Sequence, residues 1–364
     1  MNIIILNKNL EQEAVISSWI EASFSQSINS QGAFRLRINA NSKQAEEIEL
    51  GQIVYLEPEM CGYINRIERI SEKNVSDEVL SISGIALKDT MKSRITYPPS
   101  GQESYSYTET KADSIACDLI DKLLINPTDS RKKVSIFKLD GISAIGSEMD
   151  FSTRLKPLDS QVYELLSYDN LGLKCWIDLD AKTACFKVFE GVDRTINQME
   201  NPRAVFSLDM GTLQSSIVFQ NSSSYRSVGY FGGAGTGTSR TIIELPDSNT
   251  FTGLDRWETF IDIRDASTSD ELEARGNILL TEFDRVYSVK GGVDTSDKME
   301  YDIGDFVTIR DRTGNYENVQ ITGRTRSFSG SNTEKTGLVF GKAPLTISQA
   351  ITNRLVGLNN ILTK

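Results

Sequence analysis

A chain of 364 residues with 39% apolar and 24% charged side chains can bury the cores of two or three domains and stay soluble. Fifty acidic against 39 basic residues leave a net charge of −11, which opposes a polyphosphate partner, and the longest basic run is Arg131-Lys132-Lys133. Histidine is absent, which removes the commonest general base, the Ser-His and Cys-His nucleophile pairs and the usual zinc ligand; carboxylate chemistry and oxygen-ligand metal binding are what survive among enzyme readings.

The opening "MNIIILNKNLEQE" has a short apolar core with no basic flank before it and no small-residue cleavage site after it, so no signal peptide is expected. No stretch approaches membrane-spanning length, and no membrane insertion by this chain is expected. Strands follow: "FRLRINA", "GQIVYLEP", "GYINRIERI" and "VLSISGIAL" alternate β-branched or aromatic residues with polar ones. A helix is predicted over about Thr110 to Leu124, where Ala112, Ile115, Ala116, Leu119, Ile120, Leu123 and Leu124 form one apolar stripe; Thr110 and Asp113 fit a capping box, and Asn126-Pro127 stops it. Further helices are predicted over about Ser160 to Tyr168 and Ser269 to Phe283.

"IDLDAKTA", with Asp178 and Asp180, is the nearest approach to a catalytic carboxylate pair, but the flanking "LKCWIDLD" and "TACFKVFEG" read as a β-hairpin with solvent-facing charges. Cys61, Cys117, Cys175 and Cys185 lack metal-site spacing and are expected to be free thiols, with Cys175 and Cys185 able to face each other across that hairpin. Beyond it come the strands "AVFSLDM", "SSIVFQN", "DFVTIRD" and "NVQITGRTRS".

The stretch "SVGYFGGAGTGTSRTIIEL" imitates a phosphate-binding loop, with Gly232, Gly237 and Ser239 in place but Thr238 where the lysine belongs. Thr241, Ile242 and Ile243 after it are β-branched and Pro246 is close, so a strand follows where a phosphate loop needs a helix N-terminus. The glycines are expected to form a flexible or left-handed connection between antiparallel strands, with no cofactor and no metal bound.

A weak internal repeat spans about 35 residues in each copy. Gly51 to Val54 opens a strand, Ile64 to Ile67 lies on the next and a third ends at Ser83-Gly84; Gly304 to Val307, Ile321 to Arg324 and Phe340-Gly341 repeat the order. The expected fold is therefore α+β, mainly β: two similar small β-barrels with a mixed α/β middle lobe. The first barrel is placed at 1–95, the lobe at 96–200, the second barrel at 201–245 and 301–344, a helix-containing part of the lobe at 246–300, and a C-terminal amphipathic segment at 345–364.

The segments "YRSVGYFGGAGTGTSRTIIEL" and "GLDRWETFIDIRD" resemble the tail hub proteins of long-tailed bacteriophages, the structural module that also begins many tail-associated lysins. Gly233, Gly235, Gly237 and Arg240 take the positions of the family's glycine loop, and Gly253 to Arg256 take its "GLDR" block, with Trp257 departing from the usual charged residue. "GYINRIERI", "LSISGIALKDTMKSRITYP", "LGLKCWIDLDAKTACFKVFEGVDRT" and "DIGDFVTIRDRTG" to "GLVFGKAP" extend the resemblance over about Ile53 to Pro344. It implies a structural, non-catalytic protein of the virion tail tip, made in the host bacterial cytoplasm. It also implies a homotrimeric, pseudo-six-fold ring that binds the distal tail protein and tail-tip or receptor-binding proteins and passes DNA without specific binding.

Two other functions are weighed against this. A peptidoglycan-degrading enzyme using a carboxylate pair is disfavoured because Lys364 follows soon after the last barrel strand, and a surface or carbohydrate-binding β-protein because no signal peptide is seen. The segment "LTISQAITNRLVGLNNILTK" spaces Ile347, Ile351, Leu355, Leu358 and Leu362 as a helix would, and reads equally as a helix docked on its own subunit or a partner-binding anchor.

Overall fold

Successive side chains of a strand point to opposite faces, so a chain patterned with a period of two buries one face of each strand by building sheets. The computed structural model describes residues 2–71, 78–246, 251–264, 266, 268–281, 283, 286–293, 299–330 and 333–341. The segment 345–364, with Ile347, Ile351, Leu355, Leu358 and Leu362, lies outside the described residues.

The first stretch holds β1 (Ile3–Leu6), β2 (Gln12–Ile16), β3 (Glu21–Ser27), β4 (Ala33–Asn39), β5 (Ile53–Glu57), β6 (Met60–Ile70) and β7 (Val79–Ala86). The middle holds β8 (Tyr105–Lys111), α1 (Ala112–Ile120), β9 (Phe137–Leu139), β10 (Glu148–Thr153), α2 (Leu158–Tyr168), β11 (Gly172–Asp178) and β12 (Thr183–Phe189). After it come β13 (Val205–Phe206), β14 (Leu213–Asn221), β15 (Val228–Gly232), β16 (Ile242–Leu245), β17 (Glu258–Asp262) and α3 (Ser269–Thr281). The last strands are β18 (Val286–Val293), β19 (Phe306–Arg310), β20 (Tyr316–Ser329) and β21 (Glu334–Gly341). The protein is mainly β with few helices, as its patterning requires.

One 13-stranded sheet runs β14-β18-β21-β20-β3-β4-β7-β6-β5-β1-β2, with β19 and β13 branching from β20. The repeat read from the sequence is a repeat of topology. Strands β1, β3, β4, β5, β6 and β7 stand side by side as β3-β4-β7-β6-β5-β1, and β13, β14, β18, β19, β20 and β21 stand as β14-β18-β21-β20-β19-β13, which is the same permutation of chain order. Backbone detail agrees: Gly51 N donates to Ile64 O (2.9 Å) and Ile64 N to Gln52 O (2.9 Å), while Gly304 N donates to Ile321 O (2.8 Å) and Ile321 N to Asp305 O (2.9 Å). Both glycines have positive φ, 91° and 100°. A bulge follows at Asn65 in one copy and at Thr322 in the other.

The described pairings close neither copy into a barrel. Pairing with β4 leaves β3 one free edge, and β20 takes it, running antiparallel from Gly323 opposite Ser27 to Ser329 opposite Glu21. An edge can be used once, so the two copies merge into a continuous sheet. Side chains cross this seam: Ser25 Oγ meets Thr325 Oγ1 (2.9 Å) and Arg324 Nε donates to Gln26 (3.1 Å). Arg326 lies between Glu57 (2.6 Å) and Glu334 (2.7 Å).

Placement within the second copy differs from the sequence reading. β18, inside 246–300, pairs between β14 and β21 because Val289 and Val293 need the core of this copy. β15 and β16, inside 201–245, pair with β17 in a separate three-stranded sheet. That sheet and α3 are inserted between β14 and β18.

The middle lobe packs α1 and α2 over β11-β12-β9 and the pair β8 and β10, around Ile115, Leu119, Ile120, Leu165 and Phe186. The stripe predicted for α1 is buried, but the capping box does not form: Thr110 is the last-but-one residue of β8, paired with Met149, so the helix starts at Ala112. Residues Asp121–Ile125 continue as a π-helical turn, and Asn126 ends it. α2 begins earlier than predicted, at Leu158, and α3 ends at Thr281. β11 and β12 form the expected hairpin, with Asp178 accepting from Ala181 N (2.9 Å) in its turn and Asp180 exposed. Cys175 stands opposite Phe186 and Trp176 opposite Cys185, so the two thiols occupy adjacent rows on opposite faces and cannot bond. All four cysteines are free.

Lobe and sheet are locked by a buried polar cluster. Lys88 donates to Ser27 O (2.6 Å) and rests on the Tyr163 ring (4.8 Å), while Asp89 accepts from Gly32 N (2.7 Å) and from the Tyr163 hydroxyl. Burial pushes the Asp89 carboxyl up and the Lys88 ammonium down, each opposed by the other's charge.

Hydrogen bonding to Arg326 holds the Glu334 carboxyl below its ordinary value of 4.5. A carboxylate lowered on folding stabilises the fold above its unfolded value and loses that contribution as pH falls through the folded one. Arg326→Met is therefore expected to cost about 1–2 kcal/mol near neutrality, the pair being only partly screened from solvent. Thermal melts from pH 7 downward should show the gap between wild type and variant shrinking once the pH passes below 4.5; a gap constant with pH would contradict the assignment.

Candidate functional site

The glycine loop joins β15 to β16, which pair antiparallel from Gly229 opposite Leu245 to Gly232 opposite Ile242, while β17 lies parallel on the other side of β15. The inner face of this sheet buries Phe231 and Leu245 with Ile263, Ala266 and Leu272. The expected turn between antiparallel strands is present, and a strand rather than a helix follows it.

Arg240 organises the loop. Its guanidinium donates to Gly232 O (2.8 Å) and Gly233 O (3.0 Å), pairs with Asp262 on β17, and lies 5.6 Å from the centre of the Phe260 ring. A side chain at Gly232 would enter that guanidinium, at 2.6 Å from Nη2. Gly235, at φ 105°, passes beneath the Arg240 backbone with 2.9 Å from a would-be Cβ to Cα, a conformation and an approach that only glycine tolerates. Gly233 packs on Leu272, and Gly237 opens a short 3₁₀ turn over Gly237–Ser239. Gly233 N donates to Thr241 O (2.9 Å) and Ala234 N to Ala266 O (3.0 Å), so these amides serve the loop itself.

The "GLDR" block sits beside it. After the turn Gly253–Asp255, Arg256 donates to Tyr230 Oη (2.8 Å), Glu244 (3.0 Å) and Glu258 (2.6 Å). Ser227 Oγ donates to Asp255 O (2.8 Å) and accepts from Trp257 N (2.8 Å), which fixes the block to β15. Glu244, Glu258 and Asp262 are each held by an arginine and lie in the open on the outer face, together with Ile242 and Phe260. Each of these carboxylates is thus engaged by a guanidinium, and the face combines arginines, rings and apolar side chains. Tyr230, Glu244, Glu258, Phe260 and Asp262 have no signal in the residue pattern, since "ETFID" does not alternate in polarity; only its folding as a strand sets Glu258, Phe260 and Asp262 on one face.

The structure thus brings Gly233, Gly235 and Arg240 into one motif with Asp262, with Gly237 at its open tip. Among the described residues, no group of three or more His, Cys, Asp or Glu side chains is placed to hold a metal ion. An apolar groove of about 400 Å³ lies between the first copy and the lobe, lined by Ile53, Tyr63, Leu87, Leu124, Ile136 and Phe137 among others.

A sequence model of the family described as Siphovirus ReqiPepy6 Gp37-like protein matches residues 2–342. No curated protein sequence matches the chain. Among solved structures, the chain is similar to the 43 kDa tail protein of prophage MuSo2 from Shewanella oneidensis, at 14% identity and a TM-score of 0.62 over 93% of this chain and 98% of that one. A tail protein from Neisseria meningitidis MC58 is similar at 13% identity and 0.56, covering 94% and 95%. The prophage tail protein gp18 from Listeria monocytogenes EGD-e is similar at 11% and 0.55, covering 100% of both chains. At these identities the likeness is one of fold.

If Arg240 seats the loop, Arg240→Ala should destabilise the inserted sheet by about 1.5–3 kcal/mol, the usual scale for charge-assisted hydrogen bonds, and expose 233–241 to hydrogen exchange. Thr238→Ala, at an exposed position, should stay within about 0.5 kcal/mol of wild type. Calorimetry with ATP and Mg²⁺ should show no specific binding, and micromolar affinity abolished by Gly235→Val would contradict this reading.

Proposed function

The chain belongs to the Siphovirus ReqiPepy6 Gp37-like family, and on that premise we propose that it is a structural hub of the phage tail, a non-catalytic component of the virion's tail tip. The observation that carries the reading is the duplicated six-strand unit. A six-fold tube meets a three-fold ring only if each subunit presents two near-equivalent surfaces, and a duplicated unit supplies them. Three copies then form a pseudo-six-fold ring at the distal end of the tail tube, bind the distal tail protein and tail-tip or receptor-binding proteins, and gate the DNA channel. Each chain contributes its two repeated β-units to the wall, roughly 1–95 and a second unit discontinuous in sequence, with 96–200 and the inserted sheet and helix as an outer lobe. The acidic balance, −11 overall, suits a lumen that passes DNA without holding its phosphates. The outer face of the inserted sheet, with Phe260, Ile242 and the two arginine clusters, is a contact surface for a neighbouring tail protein.

Electron microscopy of the chain with the distal tail protein, or of whole particles, is expected to place three copies around the tube axis. A different count, or a position away from the axis, sinks the hub. A turbidity assay on cell walls should show no clearing; clearing would favour the lytic alternative. The segment with Ile347, Ile351, Leu355, Leu358 and Leu362 is proposed as an anchor for a partner. Cutting after Ala343 should abolish assembly with little change in melting temperature, whereas unchanged assembly with a lower melting temperature would assign it to its own subunit.

A further inference from the structure

Each copy of the repeat has one strand edge of the same kind, and among the described residues one of the two is paired and the other is not. In the first copy β3 gives its edge to β20. Its counterpart β14 pairs with β18 alone among the described residues, leaving the other edge open. β14 reads "LQSSIVFQN", nine residues without a charge, with Ile217 66% and Val218 55% exposed. Open edges are ordinarily blunted by lysine, proline or shortness, and a long, neutral, apolar edge is a template for another strand. Among the described residues the complementary edge is also open. β20 uses one side for β19 up to Gln320 and, past its bulge, the same side for β3. β6 uses that side for β5 up to Tyr63, and past its bulge Arg66 to Ile70 pair, among the described residues, with β7 alone.

We propose that β14 of one copy adds to β6 of a second copy of this chain, repeating between chains the seam that β3 and β20 make within one. The inference rests on the hub reading and names its subunit contact. Register follows from equivalence. Phe24 lies opposite Phe34, Phe34 opposite Gly84 and Gly84 opposite Ile64; Val218 lies opposite Val289, Val289 opposite Phe340 and Phe340 opposite Ile321. Val218 thus occupies the place of Phe24. Arg326, the partner of Phe24, stands where Arg69 stands in the first copy, counted from Ile321 and Ile64. The joint therefore sets Arg69 opposite Val218 and Ile70 opposite Ile217, an apolar cross-strand pair that covers a side chain now in solvent. Such a head-to-tail contact uses different surfaces on the two partners and closes only as a ring.

The full chain carries the test. In Arg69→Cys with Val218→Cys, and separately in Ile70→Cys with Ile217→Cys, the thiols face each other across the joint. Of two adjacent rows in an antiparallel ladder, one is the closely spaced kind that a disulfide fits. Mild oxidation of the concentrated chain is expected to give reducible dimers and trimers in at least one variant, and none in Arg66→Cys with Ile217→Cys, which is out of register. No linkage in either registered pair, or equal linkage out of register, overturns the joint. Ile217→Lys with Val218→Lys should keep the melting temperature, both side chains being exposed, yet raise the concentration needed for assembly by about tenfold or more; unchanged assembly overturns the joint. Three-membered rings that form without the link leave the hub reading standing while the joint falls. Linked chains that grow as open filaments keep the joint and overturn the closed ring.

Discussion

The antiparallel pairing of β3 with β20 is the contact on which the architecture depends. Each repeated unit buries its own core, around Leu36 and Ile82 in one and Val307 and Phe340 in the other, and could exist as a separate body. Backbone hydrogen bonds along seven facing pairs make them one sheet instead. Arg326 stitches the seam from above, reaching Glu57 of the first unit and Glu334 of the second while lying over Phe328, 5.3 Å from its ring centre. A guanidinium with two carboxylate partners is well suited to this, since its rigid fork binds both without a second cation.

Everything else hangs on that sheet. The lobe is held through Lys88, Asp89 and Tyr163, three polar side chains buried where the 3₁₀ turn after β7 meets α2. Burying charged groups gives little net stability, but the geometry here is demanding: the Asp89 carboxylate must accept from both Gly32 N and the Tyr163 hydroxyl, which leaves one orientation of lobe on sheet. The inserted sheet uses a second device, a loop wound around an arginine. α3 ties that insert to the lobe by placing Ile278 in the lobe's core and Arg275 6.0 Å from the centre of the Phe151 ring.

The glycine loop shows how a motif and its environment can disagree. Spacing alone suggested phosphate; the strand after it argued for a turn, and the turn is what forms. The reason for so many glycines could not be read from the sequence. Gly232 and Gly235 are needed because Arg240 folds back over them, and a guanidinium returning onto the backbone that precedes it leaves no trace in residue spacing. The partner carboxylate, Asp262, lies 22 residues further on.

The sequence by itself determined the mainly β character, the hairpin at Asp178, the apolar stripe of α1 and the existence of a repeat, because each rests on periodicity or on turn chemistry within a few residues. Tertiary structure alone decided which edge meets which. Every open strand offers the same row of amides and carbonyls, so partner choice is not written in side-chain pattern. Ser25 and Thr325 touch across 300 residues of intervening chain. That choice merged two units expected to be barrels into one sheet, drew β18 out of the lobe and into the second unit, and cost α1 its capping box by keeping Thr110 in a strand. It also left one edge of β14, a strand without a charge in its sequence, unpaired among the described residues, and that openness becomes visible only once its neighbours are known.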